Sequence, residues 1–162
     1  FDLTVAIEVG LLIACLLFMR RMAETTQIKV IAGEIDPNEE TDAEVHEEHL
    51  MIPKGVEVYE INGPYFFGIA SKFDDIMVNL EKRPKVRIIR MRRVPFIDST
   101  GMHNLQNLCQ MSHREGIHIV LSGVQPKVYS VLENNGFCEI LGKDHICPNI
   151  NVALKKAEEI VK

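Results

Sequence analysis

The chain has 162 residues, 46% hydrophobic and 25% charged, enough for one globular domain plus an additional segment. A net charge of -5 excludes a general nucleic-acid binder, which carries a basic excess. Four cysteines, Cys15, Cys109, Cys138 and Cys147, are too scattered for a zinc ribbon or a Cys-x-x-Cys redox pair. Each sits among apolar neighbours, as reduced, buried thiols do.

Leu3 to Met19 is nearly all apolar, with Glu8 its only charge. As a helix it would extend about 26 Å, close to a bilayer's hydrocarbon thickness. Arg20 and Arg21 follow at once, which places that end in the cytoplasm by the positive-inside tendency. A secretory signal has the opposite order, with basic residues before the apolar run and small residues after it. The segment 1–22 is therefore expected to be the end of a transmembrane helix, in a chain that is a fragment of a longer protein; a buried core helix is the alternative. Glu8, deep in the run, would face neighbouring helices or a water-filled cavity, or lie near the outer interface.

Residues 23–53 are expected to form a linker. From Gly33 to Leu50 it carries Glu34, Asp36, Glu39, Glu40, Asp42, Glu44, Glu47 and Glu48 without a lysine or arginine. Such a block buries little and reads as a solvated tether or loop. His46 and His49, three apart, lack the further ligands a metal site needs, and no metal or cofactor is expected.

Residues 54–162 have the pattern of a folded α/β domain. Val56 to Ile61 reads as a strand ended by the turn pair Gly63-Pro64, with a second, short aromatic strand at Tyr65, Phe66 and Phe67. Ala70, Phe73, Ile76, Met77 and Leu80 recur at helical spacing. Val86 to Met91 predicts a strand, Met102 to Cys109 the inner face of a helix, and Ile117 to Leu121 a strand covered on both faces. Pro126 suits the first turn of a helix that Asn135-Gly136 stops. A weak strand at Glu139 to Leu141 and a helix from Asn151 to Val161, burying Val152, Ala153, Leu154, Ala157 and Ile160, complete the pattern. This alternation implies a largely parallel sheet with right-handed crossovers.

Two features stand where ligands or partners would meet such a sheet. Asp98-Ser99-Thr100-Gly101 lies at a strand-to-helix handover, where Asp98 is suited to cap the helix and Gly101 allows a close backbone approach. Phosphate on Ser99 or Thr100 would be tolerated by the helix dipole and would add nearly two negative charges to an exposed surface; a plain helix cap is the simpler reading. The basic run Lys82, Arg83, Lys85, Arg87, Arg90, Arg92 and Arg93 ends beside that loop. Arg90, Arg92 and Arg93 are candidate contacts for an anion, an acidic protein, anionic lipid or the acidic tether, with a solvated edge as the equal alternative. Their place at a strand's carboxyl end also admits nucleotide sensing, although no Gly-x-x-x-x-Gly-Lys-Ser/Thr loop supports it.

Strand, loop, Asp98-Ser99-Thr100-Gly101 and amphipathic helix together resemble the switch region of STAS domains, the fold shared by anti-sigma factor antagonists and anion-transporter tails. Gly63-Pro64-Tyr65-Phe66-Phe67 is similar to the Gly-Pro-x-Phe-Phe segment of STAS domains attached to SulP (sulfate permease family) transporters. The apolar helix followed by Arg20-Arg21 is similar to the last transmembrane helix of that family. The resemblance implies a STAS fold with a mixed, mostly parallel sheet. It also implies a regulatory or interaction role on a bacterial secondary anion transporter, at the inner membrane with the domain in the cytoplasm. The implied partners are the transporter's own transmembrane domain and a second copy in a homodimer. In the antagonists the residue before the glycine is the phosphorylated one, which maps onto Thr100; a soluble antagonist switched there is the alternative function. The acidic stretch 33–50 is longer than a minimal tether and departs from the pattern. No nucleophile elbow or metal constellation supports an enzyme, and His103, His113, His118 and His145 are expected to be solvated or hydrogen-bonded.

Overall fold

A computed structural model describes residues 2–31, 34–35, 50–66 and 83–162. The expected helix around Ala70 to Leu80, the histidines His46 and His49 and most of the acidic block lie outside the described residues.

Helix α1, Leu3–Thr25, continues past the apolar run. Within it Leu3–Arg21 has a mean hydropathy of 2.1, and none of it is buried against the rest of the chain. An all-round apolar helix left bare in this way lacks the polar face of a helix lying on a soluble domain. It joins the sheet at Thr26. That residue is fully buried, and its Oγ1 donates to the Pro64 carbonyl at 3.0 Å. Gly63, at φ +117°, lies so near that a Cβ there would be 3.0 Å from Thr26 Oγ1. The Gly63-Pro64 pair thus serves as the seat for the helix-to-sheet joint.

Strand β1, Gln27–Ile31, falls within the segment expected as linker. It pairs antiparallel with β4, Val56–Asn62. The short strands β2, Glu34–Ile35, and β3, Leu50–Met51, also pair antiparallel, so both ends of the acidic block are hydrogen-bonded rather than free tether. Strands β5, Val86–Arg93, β6, His118–Ser122, and β7, Ile146–Cys147, add in parallel, giving the order β1-β4-β5-β6-β7. The sheet is therefore mixed and mostly parallel.

Helices α2, Ser99–Arg114, α3, Pro126–Asn134, and α4, Phe137–Leu141, cover one face. There Tyr59, Ile61, Ile89, Met91 and Leu121 pack with Leu105, Leu132 and Phe137. Helix α5, Ile150–Val161, covers the other face, setting Ala153, Leu154 and Ala157 on Val58, Ile88 and Val120. Each large apolar side chain so buried stabilises the fold by roughly 1.5–3 kcal/mol.

Three expectations are corrected. Tyr65 makes only an isolated parallel bridge to Ile97, so the aromatic segment is not a strand over its described residues. Glu139 to Leu141 belongs to helix α4, a short apolar run whose period alone does not separate strand from helix. The edge strand falls instead at Ile146–Cys147. Val152 is 42% exposed, because the buried stripe of α5 runs through Ile150, Ala153, Leu154 and Ala157.

Candidate functional site

The parallel strands deliver their carboxyl ends to the amino ends of α2 and α3, and the loop after β5 lies there. Asp98 is the N-cap of α2, and its Oδ1 accepts from the Gly101 amide at 2.6 Å. The cap is the carboxylate, which leaves Ser99 and Thr100 exposed on the first turn. Asp98→Ala is expected to cost about 1 kcal/mol. A thermal melt should show a loss that Asp98→Asn largely restores.

The loop is held from the other side by the Gly63-to-Phe66 segment. Gly63 N donates to the Arg93 carbonyl (3.2 Å), Tyr65 N to the Phe96 carbonyl (3.0 Å), and Asp98 N to the Tyr65 carbonyl (3.3 Å). A Cβ on Gly101 would collide with that Tyr65 carbonyl and with the Tyr65 ring. The two sequence motifs are therefore one structural unit. Reading them separately missed Tyr65, Phe66 and Phe96. Phe66 is buried and stacks on Phe96, with centroids 6.3 Å apart and planes 9° from parallel. Phe96 remains 49% exposed beside the two hydroxyls. Tyr65 is 1% exposed, and burial, with the Cys109 thiol second, pushes its hydroxyl's pKa well up. It acts as a packed strut rather than an acid. The signal that could have paired the motifs is Gly101, since a helix-interior glycine marks a close approach.

The basic run is not the exposed stripe expected. Arg87 and Arg90 are 5% and 3% exposed. In the register of β4 and β5, Glu57 faces Arg87 and Glu60 faces Arg90. Arg87 Nε lies 3.7 Å from Glu57, and its Nη1 donates to Ser112 Oγ at 3.4 Å. The buried carboxylate of Glu60 lies 3.5 Å from Arg90 Nη1 and accepts from Arg92 Nε at 2.9 Å. Arg93 Nη1 donates to Asn62 Oδ1 at 3.4 Å. Arg90 is thus committed inside the sheet rather than offered to a ligand; Arg92 and Arg93 are half-buried at its carboxyl end. The α3 cap residue Gln125 ties that end down, its Nε2 donating to the Arg92 carbonyl at 2.7 Å.

Burial pushes the Cys109 thiol up to about 12 and raises Cys138 and Cys147 as well. These three behave as packing groups, while Cys15 is exposed on α1. Among the described residues no group of three or more His, Cys, Asp or Glu side chains is placed to hold a metal.

The STAS domain profile matches residues 49–153. The chain belongs to the STAS domain family. A provisionally named sulfate transporter of Bacillus subtilis (strain 168) is 31% identical over 150 residues, covering 90% of this chain and 26% of its own length. The crystal structure of a sulfate transporter family protein from Wolinella succinogenes is 44% identical. It aligns with a TM-score of 0.66 over 69% of this chain and 92% of its own. A murine Solute Carrier 26 anion transporter aligns with 96% of this STAS chain and 25% of its own, at a TM-score of 0.65 and 22% identity, a likeness of fold alone. A provisionally named anti-sigma factor antagonist of Thermotoga maritima shares the fold at 19% identity and a TM-score of 0.54, over 68% of this chain and 92% of its own. This STAS chain spans about a quarter of the length of the curated transporters it matches.

Proposed function

We propose that this chain is the regulatory and interaction STAS domain of a SulP-type secondary anion transporter. In this reading it is carried on the cytoplasmic end of the last transmembrane helix. The observation that carries the reading is the bare apolar helix Leu3–Arg21 leading to the sheet's edge strand by way of the buried Thr26. A helix with apolar side chains on all sides is stable in lipid and costly in water. The basic pair Arg20-Arg21 stands between it and the domain, on the side expected to face the cytoplasm. The identity to sulfate transporter family proteins supports the same assignment.

In this reading residues 1–22 end the membrane domain. Residues 23–53 connect it to the STAS body and also lend the sheet its edge strand, and residues 54–162 form that body. The transmembrane domain of the same transporter is its first partner and a second copy its next. The domain modulates transport, with no catalytic step of its own, and the cytoplasmic membrane is its location. Contact with acidic protein or anionic lipid falls to the half-buried Arg92 and Arg93, since Arg90 is enclosed.

Fractionation of the full-length parent protein, and separately of the piece 22–162 produced alone, tests the assignment. The intact protein should sediment with membranes, and the truncated piece should remain soluble and folded. Soluble intact protein would overturn the reading. It would favour the phosphorylation-controlled antagonist, which the exposure of Ser99 and Thr100 beside Phe96 supports. Thr100→Ala would then abolish phosphate incorporation by the partner kinase.

A further inference from the structure

Three histidines from separate elements, His113 and His118 exposed and His145 half-buried, line one solvent-open pocket at the end of the sheet away from the Asp98 loop. A cavity of about 360 Å³ is lined by Cys109, Gln110 and His113 of α2, by Ile117, His118 and Ile119 leading into β6, and by Ile140, Leu141 and His145. We infer that this cavity is a binding site for a small organic anion, a short-chain carboxylate whose head meets the imidazoles and whose hydrocarbon body lies on the isoleucines and Leu141.

The charge of the ligand follows from the lining. No Asp or Glu is among the described lining residues, where three imidazoles and a carboxamide supply the main polar groups. The last turn of α2 would disfavour an anion if its carbonyls were open. They are not: the amides of Glu115, Gly116 and Ile117 donate to the carbonyls of Met111, His113 and Ser112. What that end presents is His113. His145 is held below its ordinary pKa range by burial, then by Lys156 and His118, with Asp144 opposing. The field at this imidazole is therefore weighted toward positive charge, and a carboxylate entering beside it relieves that field. Its Nδ1 is buried without a hydrogen bond. A proton there would lack an acceptor, so the neutral ring carries its hydrogen on Nε2 as a donor.

The size and polarity of the site select an organic ion. A cavity of 360 Å³ offers the room of roughly a dozen waters at about 30 Å³ each, more than a bare inorganic oxyanion fills. Apolar side chains on one side and a few polar groups on the other are the usual make-up of a small-molecule site. A metal ion is the competing ligand for clustered histidines, and no such ligand set forms here.

Butanoate is the probe, added to the full chain in detergent micelles at a fixed pH, with histidine ring signals followed by NMR. The His118 and His145 signals should move saturably, with half-saturation on the order of 1 mM for so small a ligand. His103, exposed on α2 and outside the cavity lining, should not move. His145→Asn and, separately, His118→Asn should each weaken binding about tenfold, the loss of one charge-assisted hydrogen bond. The His103 signal reports that each variant is folded. No saturable shift by about fifty times that concentration would overturn the inference, as would equal movement of His103 or unchanged affinity in both variants. Half-saturation by sulfate at or below the butanoate concentration would overturn the organic class. None of these outcomes depends on whether the parent protein is a transporter.

Discussion

Replacing Gly101 by alanine is expected to destabilise the domain by about 2 kcal/mol, although alanine is the better helix former. The added methyl would lie 2.9 Å from the Tyr65 carbonyl carbon and 2.8 Å from a Tyr65 ring carbon, and closer still to the carbonyl oxygen. Overpacking against groups that cannot retreat costs about 3 kcal/mol. The helical preference of alanine over glycine returns only ~1. Tyr65 has little room to retreat: its amide and carbonyl are both hydrogen-bonded to the β5–α2 loop, and its side chain is in the core. The expected drop in melting temperature is roughly 4–8 °C for a chain of this size, read by circular dichroism on the full chain in detergent. Ser99→Ala and Thr100→Ala, at exposed positions on the same turn, should stay within about 0.5 kcal/mol. A Gly101→Ala protein as stable as the parent would show that the loop can yield. The glycine would then not be what locks the two motifs together.

That contrast separates the residues that hold the loop from those on its surface. Asp98 and Gly101 hold the loop, while Ser99, Thr100 and the edge of Phe96 are left to be touched. Change at the exposed positions is expected to alter the surface without loosening the STAS fold.

Much of this was legible in the residues. Asp98-Ser99-Thr100-Gly101 announced its helix because capping chemistry is local, and Pro126 and Asn135-Gly136 bounded another for the same reason. What depended on partners far along the chain was not legible. Val56 to Ile61 and Val86 to Met91 read correctly as strands. The sequence did not contain their register, and the register sets Glu57 against Arg87 and Glu60 against Arg90. For that reason the run of cations looked open to an anion, an acidic partner or solvent. Gln27–Ile31 was hidden between an apolar helix and an acidic block, and only its pairing with β4 makes it part of the sheet. Cys109, His113, His118 and His145 have unrelated local surroundings, and only the packing of α2 and of the turn Lys143–His145 against β6 gathers them.

The register carries the other large effect. Glu60 is 1% exposed, with Arg90 Nη1 at 3.5 Å and Arg92 Nε at 2.9 Å. Glu60→Ala leaves two guanidinium cations beside each other at the sheet's carboxyl end, without the carboxylate between them. Breaking a buried ion pair from one side costs about 3–5 kcal/mol, more than the pair itself contributes to stability, because the remaining charge stays desolvated. Arg92 is partly open to water, its side chain 21% exposed, so the lower end, about 3 kcal/mol, is expected. Chemical unfolding of the full chain in detergent, followed by tyrosine fluorescence from the buried Tyr59 and Tyr65, should show a lower midpoint at unchanged slope. Glu60→Gln keeps the shape and one acceptor oxygen and should recover part of the loss. The decisive variant is Glu60→Met with Arg90→Met, which removes charge from both strands at similar volume. If desolvation dominates, the double variant is more stable than Glu60→Met alone, since it also deletes a buried cation that has lost the Glu60 carboxylate. If the two losses simply add, Glu60 and Arg90 are not coupled. The buried charges of β4 and β5 would then be held by contacts outside this pair.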